Sequence, residues 1–301
     1  MGGDPKSPTR AADADVPAAP SPAVAGSLPV ESAAPLEQPA SLPAGHRGFP
    51  SDVEVIAAAW SASPVTIEQW HPNGRKFGGE SQTIGVTNGK RNEVAKPGRA
   101  LANARICYAA NEKIASDLAY HLRLPVPPVI LWDRADAKAH EWRWCSISAW
   151  AFPGARKFEE LGATIPAANR GRSQQSLSAM VAFDYWVGVE DRNNQNLIVD
   201  ADYKSEQPTA HIDYSWSLSH KWTKGNFPRA ATLHQYCTPL GGLLHEEMKA
   251  AADQIAGLDK GTIQMIVSRI PEGFLPKDRA EHIIEGLLKG QEEIHKALGV
   301  V

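Results

Sequence analysis

Cysteine is scarce in this chain of 301 residues. Its three cysteines, Cys107, Cys145 and Cys237, lie far apart, and an odd number at such spacings gives neither a disulfide framework nor a zinc-binding pattern. A reducing compartment fits this usage best. We therefore expect a cytoplasmic protein, with secretion as an effector left open.

Long apolar runs and a basic excess are also missing. No stretch approaches the ~20 apolar residues of a transmembrane helix, so no membrane span is predicted. The formal net charge of -3 lacks the positive excess of proteins that bind nucleic acid directly. The first residues, MGGDPKS, have Lys6 where an N-myristoylation signal has Ser or Thr, and they lack the apolar core of a signal peptide. Neither a P-loop nor a Gly-x-Ser-x-Gly elbow occurs.

The first 45 residues are poor in the side chains that build a core. Alanine and proline supply 20 of these 45 residues, and no aromatic residue occurs among them. Such a segment cannot bury enough apolar area to offset the entropy of ordering it, so residues 1–48 are predicted to form a disordered arm. The whole chain is 43% hydrophobic, which suits one or two globular domains after the arm.

Strand-like patterns come first after the arm. They occupy residues 63–70, 81–87, 91–97, 127–132 and 141–150. Asn88-Gly89 is a strong hairpin signal between the second and third of these runs. A helix is predicted between the third and fourth runs, at about 101–122, because apolar residues recur there every four positions.

Helical patterns dominate the rest of the chain. A long helix is predicted at 171–189, two short strands at 196–200 and 210–214, and helices from about 239 onward. This order predicts an α+β protein of two lobes, with a small β-rich N-lobe at 49–150 and a larger helical C-lobe at 151–301. A cleft between two lobes is a natural place for a ligand.

One polar stretch of the C-lobe carries a chemical signal. In VGVEDRNNQNLIVD, residues 187–200, Asp191 precedes Asn196 by five positions, and a second acid, Asp213, follows in HIDYSWSL. Phosphoryl transfer needs a carboxylate that orients the attacking hydroxyl and oxygen ligands that hold Mg2+ on the phosphates. Asp191 fits the first role, and Asn196 with Asp213 fits the second. An Asp- and Asn-rich surface turn is the alternative interpretation.

Two charged residues of the N-lobe suit the same chemistry. Lys96, in VAKP, lies in an apolar strand after the hairpin, from which it can reach phosphates in the cleft. Glu112 lies on the next helix, on the face of small residues, from which it can pair with the strand lysine. An edge-strand lysine and an exposed helix glutamate are the ordinary alternatives.

These residues resemble a known family. The segments NEKIASDLAYHLRLPVPPV, AFDYWVGVEDRNNQN, HIDYSWSL and IPEGFLPKDRAEHIIEGLL are similar to those of the HipA-like kinases, which share the protein-kinase and phosphatidylinositol 3/4-kinase fold. The resemblance implies a two-lobed, protein-kinase-like fold that binds ATP and Mg2+. It implies that Lys96 binds phosphates and pairs with Glu112, that Asp191 is the catalytic carboxylate, and that Asn196 and Asp213 are metal ligands.

The resemblance also places the rest of the nucleotide site. The hinge that holds adenine is expected near Ile147, Ser148 and Trp150. The irregular stretch FGGESQT, residues 77–83, is expected to cover the phosphates, because Gly78 and Gly79 let backbone N–H groups approach them and Ser81 adds a hydroxyl. A plain hairpin turn is the alternative for this stretch.

The sequence departs from the family at three places. Asn193 replaces a histidine, Gln195 replaces a glycine, and Tyr214-Ser215 follows Asp213 without a glycine. None of these changes removes a predicted metal ligand, so Mg2+ binding is still expected.

The sequence predicts a kinase, an ATP- and Mg2+-dependent phosphotransferase, and leaves its acceptor open. A protein serine or threonine is favoured by the HipA-like resemblance. A lipid headgroup is the enzyme alternative, because DRNNQN…HIDY is also similar to the lipid-kinase signature, and the lack of a basic membrane-facing cluster weighs against it. A nucleotide-binding pseudokinase or scaffold, motivated by positions 193 and 195, and an unrelated α+β binding module are the non-enzyme alternatives.

Overall fold

An antiparallel sheet organises the first half of the chain. The computed structural model describes residues 47–77, 83–98, 107–135, 137, 143–161, 165–189, 192–202, 204–205, 208–218 and 240–300. Its first sheet has five strands in the order β1-β2-β3-β5-β4. They are β1 (His71–Lys76), β2 (Ile84–Thr87), β3 (Asn92–Pro97), β4 (Val129–Asp133) and β5 (Trp144–Ser148).

The predicted hairpin joins β2 to β3. Asn88 Oδ1 accepts hydrogen bonds from the amides of Lys90 and Arg91, at 3.0 and 2.8 Å. Gly89 has a φ of 82°, in the left-handed region that glycine adopts at no steric cost. The turn signal in the sequence is thus confirmed.

Two helices accompany this sheet, α1 (Ser51–Ala62) and α2 (Tyr108–His121). The helix predicted at 101–122 is confirmed over α2, and residues 101–106 lie outside the described part of the chain. Helix α1 is absent from the sequence prediction, although Val53, Ala57 and Trp60 are buried at helical spacing.

The strand predicted at 63–70 is wrong. Within that run only Val65 makes a bridge, to Leu131. The chain forms its edge strand β1 later, in the polar run HPNGRK, whose side chains are mostly exposed. An edge strand with little apolar content gives no alternating pattern to detect.

The two faces of the sheet pack differently. One face forms an apolar cluster with α1, and the other faces α2. The residues of that cluster are Trp60, Trp70, Val86, Ala95, Ile130, Trp132, Cys145, Ile147 and Ala149. Lys96 pairs with Ser146 and lies next to Ala95, so its side chain lies on the opposite face, towards α2.

Helix α2 is buried on every side. All eleven residues from Ala109 to Ala119 are buried, including three charged ones. A surface helix buries one stripe only, so α2 lies inside the molecule, between the sheet and the helices that follow.

The second half of the chain is mainly helical. It contains β6 (Arg156–Lys157), α3 (Phe158–Leu161), α4 (Ala167–Trp186), a 3₁₀ turn (Asn194–Asn196), β7 (Leu197–Val199), β8 (Thr209–His211), α5 (His245–Gly257), α6 (Lys260–Ser268) and α7 (Lys277–Leu298). Strands β6, β7 and β8 form a small antiparallel sheet in that order. None of the helices in the described ranges is long and apolar enough to span a membrane.

Trp144 of β5 connects the five-stranded sheet to the helical region. Its ring centroid lies 4.8 Å from that of Phe274, in an edge contact. A Cβ atom on Gly273 would lie 2.7 Å from Trp144 Cη2, so the indole fits only because residue 273 has no side chain. Gly98 also lies close to Trp144, but at its backbone: a Cβ on Gly98 would lie 2.7 Å from the Trp144 carbonyl oxygen.

Candidate active site

Three of the residues predicted from sequence meet at one point. Lys96 of β3 places its Nζ 2.7 Å from Glu112 Oε1 of α2 and 2.9 Å from Asp213 Oδ1, just after β8. Each of the three comes from a different element. The lysine thus bridges the sheet, the buried helix and the small hairpin of the helical region.

The electrostatics of this cluster keep Lys96 charged. Burial alone would lower the pKa of Lys96, but the carboxylates of Glu112 and Asp213 outweigh it and raise the pKa above its ordinary value. Burial would likewise raise the pKa of Asp213, and the adjacent ammonium of Lys96 instead lowers it. Asp213 is therefore an anion with oxygen lone pairs to offer a cation.

Asn196 and Asp213 lie at the same end of the β7–β8 hairpin. The Ile212 amide donates to the Asn196 carbonyl oxygen at 2.9 Å, which places the two residues on neighbouring backbones. Asp213 has a φ of 65°, a left-handed conformation that Asp adopts more readily than most residues. A carboxylate and an amide oxygen are hard donors of the kind that Mg2+ takes when it also binds substrate phosphates. The donor chemistry of the two side chains therefore suits Mg2+.

Asp184 of α4 gathers a second cluster, which the sequence analysis missed. It is fully buried and accepts from Arg192 Nε at 2.7 Å and Nη2 at 3.0 Å. His211 Nδ1 lies 3.0 Å from Asp184 Oδ2, and the Tyr214 hydroxyl donates to Oδ1 at 2.8 Å. The available signal was a single acid inside the otherwise apolar run AMVAFDYWVGV.

The charges in this second cluster are matched. Burial alone would raise the pKa of Asp184, but Arg192 and His211 lower it to about 2. Burial raises the pKa of Tyr214 well above its usual range, and the carboxylate beside it adds to this, so its hydroxyl keeps its proton. The cluster is thus a carboxylate held by one guanidinium and two further donors.

Ser215, at the position where the HipA-like resemblance led us to expect a glycine, makes a side-chain contact to α2. Its hydroxyl donates to Glu112 Oε1 at 2.9 Å. Asn111 Nδ2 donates to the carbonyl oxygens of Ser215, at 3.0 Å, and Ser217, at 2.7 Å. The segment after Asp213 is therefore bound to α2 by side chains on both partners.

The predicted hinge residues lie at the end of β5, and their side chains diverge. Ile147 is fully buried in the apolar cluster on the face away from Lys96. Ser148 pairs with Val94 and lies on the Lys96 face. The Trp150 amide donates to Glu93 Oε2 at 2.9 Å, and its ring, 38% exposed, lies 5.9 Å from that of Phe77.

Four predicted residues cannot be placed relative to these clusters. Asp191, Gly78, Gly79 and Ser81 lie outside the described residues. Asp191 directly precedes Arg192 in the chain, and Gly78 follows Phe77. Their assigned roles remain predictions.

Comparison with known proteins agrees with this architecture. Residues 152–240 match the family model described as phosphatidylinositol 3- and 4-kinase. The fold is similar to the crystal structure of the proinflammatory kinase CtkA of Helicobacter pylori, with a TM-score of 0.51 and 14% identity, over 78% of this chain and 95% of that chain. The curated proteins give no match. The chain therefore has a kinase-like fold, an antiparallel sheet followed by a helical region, and carries a kinase domain similar to the phosphatidylinositol 3- and 4-kinases.

Proposed function

We propose that the protein is an ATP- and Mg2+-dependent kinase that transfers phosphate to a serine or threonine hydroxyl of a protein, as HipA-like kinases do. The observation that carries the proposal is the contact of one partly buried lysine, Lys96, with two carboxylates, Glu112 and Asp213, from separate elements. Burying a charge is costly unless it is paired. The pairing places the Lys96 ammonium beside the Asp213 carboxylate, so a phosphate-binding group and a proposed metal ligand lie next to each other.

Each residue has one role in the proposed reaction. Lys96 binds the phosphates, and Glu112 holds the lysine in place through the 2.7 Å contact. Asn196 and Asp213 hold Mg2+, which when bound neutralises the charge that develops on the phosphates. Asp191 accepts the hydrogen bond of the acceptor hydroxyl and orients it for in-line attack.

The remaining predicted residues would bind the nucleotide. The segment from Ile147 to Trp150 would contact adenine, through backbone groups at Ile147 because its side chain is in the core. Gly78, Gly79 and Ser81 would cover the phosphates with backbone N–H groups and a hydroxyl.

A lipid headgroup is the second candidate acceptor. The match of residues 152–240 to the phosphatidylinositol 3- and 4-kinase model favours it. The proposed roles of Lys96, Asn196 and Asp213 are the same for both acceptors. Only an assay of which molecule receives the phosphate can distinguish the two candidates.

The proposed roles are tested by calorimetric titration of ATP, with and without Mg2+, into the wild type, Asp213→Asn and Asp191→Ala. We expect Mg2+ to tighten ATP binding to the wild type by about tenfold or more, equivalent to about 1.4 kcal/mol. Asp213→Asn should lose that gain, and Asp191→Ala should keep it while losing phosphate transfer. Asp202→Asn, an exposed acid of the β7–β8 turn, is the matched control and should behave as the wild type.

The acceptor is tested with ATP labelled on the γ-phosphate. Transfer to the protein itself or to a serine-containing protein supports the proposal, and transfer only to phosphatidylinositol vesicles supports the lipid alternative. ATP binding without transfer to either makes the chain a nucleotide-binding pseudokinase. Absence of ATP binding by the wild type contradicts the kinase proposal itself.

A further inference from the structure

Asp184 lies outside both loops of the proposed site and contacts a residue next to each. Arg192, on one of its sides, directly follows Asp191 in the chain, and Tyr214, on the other, directly follows Asp213. Its two carboxylate oxygens thus receive donors from the neighbours of two proposed functional carboxylates.

Arg192 extends this connection to the end of the hairpin. Its Nη1 donates to the carbonyl oxygens of Asn196, at 3.1 Å, and Ile212, at 2.6 Å. Its guanidinium carbon lies 4.8 Å from the centre of the Tyr214 ring. One side chain therefore connects the proposed metal ligand Asn196, the residue before Asp213 and the residue after it.

The apolar surroundings of Asp184 do not require a carboxylate for packing. Asp184 lies between Phe183 and Tyr185 in α4, and Phe183 and Trp186 are fully buried. Replacing a buried ion pair with well-packed apolar side chains is often neutral or stabilising. The two segments that the Asp184 oxygens bind account for a carboxylate at this position, because apolar packing would not fix them in hydrogen-bonding register.

We propose that Asp184 is a positioning residue, which through Arg192, His211 and Tyr214 fixes residues 192–196 and the segment around Asp213 relative to each other. The inference rests on the proposed kinase function. It predicts that Asp184 acts on Mg2+ binding and turnover without touching the nucleotide.

The test compares the wild type with Asp184→Asn, Tyr214→Phe and Asp200→Asn. Asp184→Asn keeps the shape and removes the charge. Tyr214→Phe removes one hydroxyl and keeps the ring that packs 5.7 Å from Phe183. Asp200 is the matched control, because it is also buried and accepts from the Ser205 amide and hydroxyl, but at the opposite end of β7.

We expect Asp184→Asn to reduce both the Mg2+-dependent gain in ATP affinity and the turnover by about 10- to 100-fold, the usual range for partners that orient a metal ligand. ATP affinity without Mg2+ should stay within about twofold of the wild type, because Lys96 is untouched. Tyr214→Phe should shift the same quantities by about threefold, the effect of one hydrogen bond. Asp200→Asn should change neither the Mg2+-dependent gain in ATP affinity nor the turnover.

Hydrogen exchange of the protein without metal and nucleotide gives a readout independent of activity. The backbone amides of residues 192–197 and 211–217 should exchange faster in Asp184→Asn than in the wild type. Their exchange rates should be unchanged in Asp200→Asn. If Asp184→Asn fails to fold, Tyr214→Phe carries the same comparison.

Three results would overturn the inference. The first is wild-type Mg2+ gain and turnover in both Asp184→Asn and Tyr214→Phe. The second is an equal loss in Asp200→Asn, which would show a general weakening of the hairpin. The third is a wild type that binds no ATP, which contradicts both the kinase proposal and this inference. This result differs from the first two because it is seen in the wild type, before any substitution is made.

Discussion

Glu93 shows how a single side chain can titrate near neutral pH. It lies in β3 on the same face as Ala95, away from Lys96, and its carboxylate accepts from the Trp150 amide at 2.9 Å. Burial raises the pKa of Glu93 to about 7, although the Trp150 amide and Arg91, 4.0 Å away, lower it. Between about pH 4.5 and 7, Glu93 is therefore mostly protonated in the folded protein and mostly ionised in the unfolded chain.

Glu93→Gln should stabilise the protein at high pH. Because the folded-state pKa of Glu93 is raised, the wild type pays a free-energy penalty that grows as pH rises from about 4.5 to about 7 and is complete above it. The difference in unfolding free energy between Glu93→Gln and wild type should therefore grow over this range, by about 1–3 kcal/mol. Urea denaturation at pH 5, 6, 7 and 8 measures it.

Glu68→Gln is the control for this comparison, because Glu68 is exposed and pairs with the same Arg91. Its effect should stay below about 1 kcal/mol at each pH. A Glu93→Gln difference that does not change with pH would contradict the prediction.

At the scale of elements, α2 is held on two opposite sides. Glu112 and Asn111 attach it to the segment after β8. On the other side Lys113 Nζ donates to the Trp60 carbonyl oxygen and to Asp117 Oδ1, both at 2.7 Å, and Arg269 also pairs with Asp117. The Lys96–Glu112 pair is thus kept together by the packing of the whole helix.

Asp117→Ala should strongly destabilise the protein, by about 3–5 kcal/mol, because it leaves the buried Lys113 ammonium without its carboxylate. Burial already lowers the pKa of Lys113 to about 8, against the opposing effect of Asp117. Without Asp117 the pKa of Lys113 falls below about 8, so between pH 6 and 8 the folded variant loses this proton while the folded wild type keeps it. The lost stability should therefore recover partly between pH 6 and 8. Denaturant unfolding at both pH values measures this.

The control is Asp133→Ala, which breaks an exposed pair with Arg143 and should cost less than about 1 kcal/mol at either pH. Equal losses in the two variants would argue against a tether through Asp117.

At the scale of the molecule, the sequence predicts what local patterns encode. Lys96 and Glu112 were found because each lies in an element with a clear signal, the Asn88-Gly89 hairpin and the apolar repeat of α2. Asp184 and Glu93 were missed because their roles depend on partners distant in sequence, at 30 residues for Tyr214 and 57 for Trp150. Local periodicity has no information on such pairs.

The beginning of the folded region can be located by truncation. Deleting residues 1–46 should leave the melting temperature within about 2 °C of the full chain, because their Ala- and Pro-rich composition offers little apolar area to bury. Deleting residues 1–50 should lower it by about 5–15 °C. That deletion removes Phe49, 5.4 Å from the Phe152 ring, and Arg47, which donates to the Val126 carbonyl oxygen at 2.8 Å.

Thermal unfolding followed by circular dichroism measures both deletions. A large loss on removal of residues 1–46 alone would mean that the first 46 residues contribute to the folded core, against the composition-based prediction.

The contact of Trp144 with Gly273 has a consequence for how the chain may be divided. Trp144 belongs to the sheet by position, but its ring fills a recess that the helical region provides. A cut in the connection after β5 would leave one fragment with an uncovered indole and the other with an uncovered recess at Gly273. The two fragments would be complementary halves, neither able to hide its own surface, and in this respect the intact protein resembles a heterodimer whose subunits are joined by a short covalent tether.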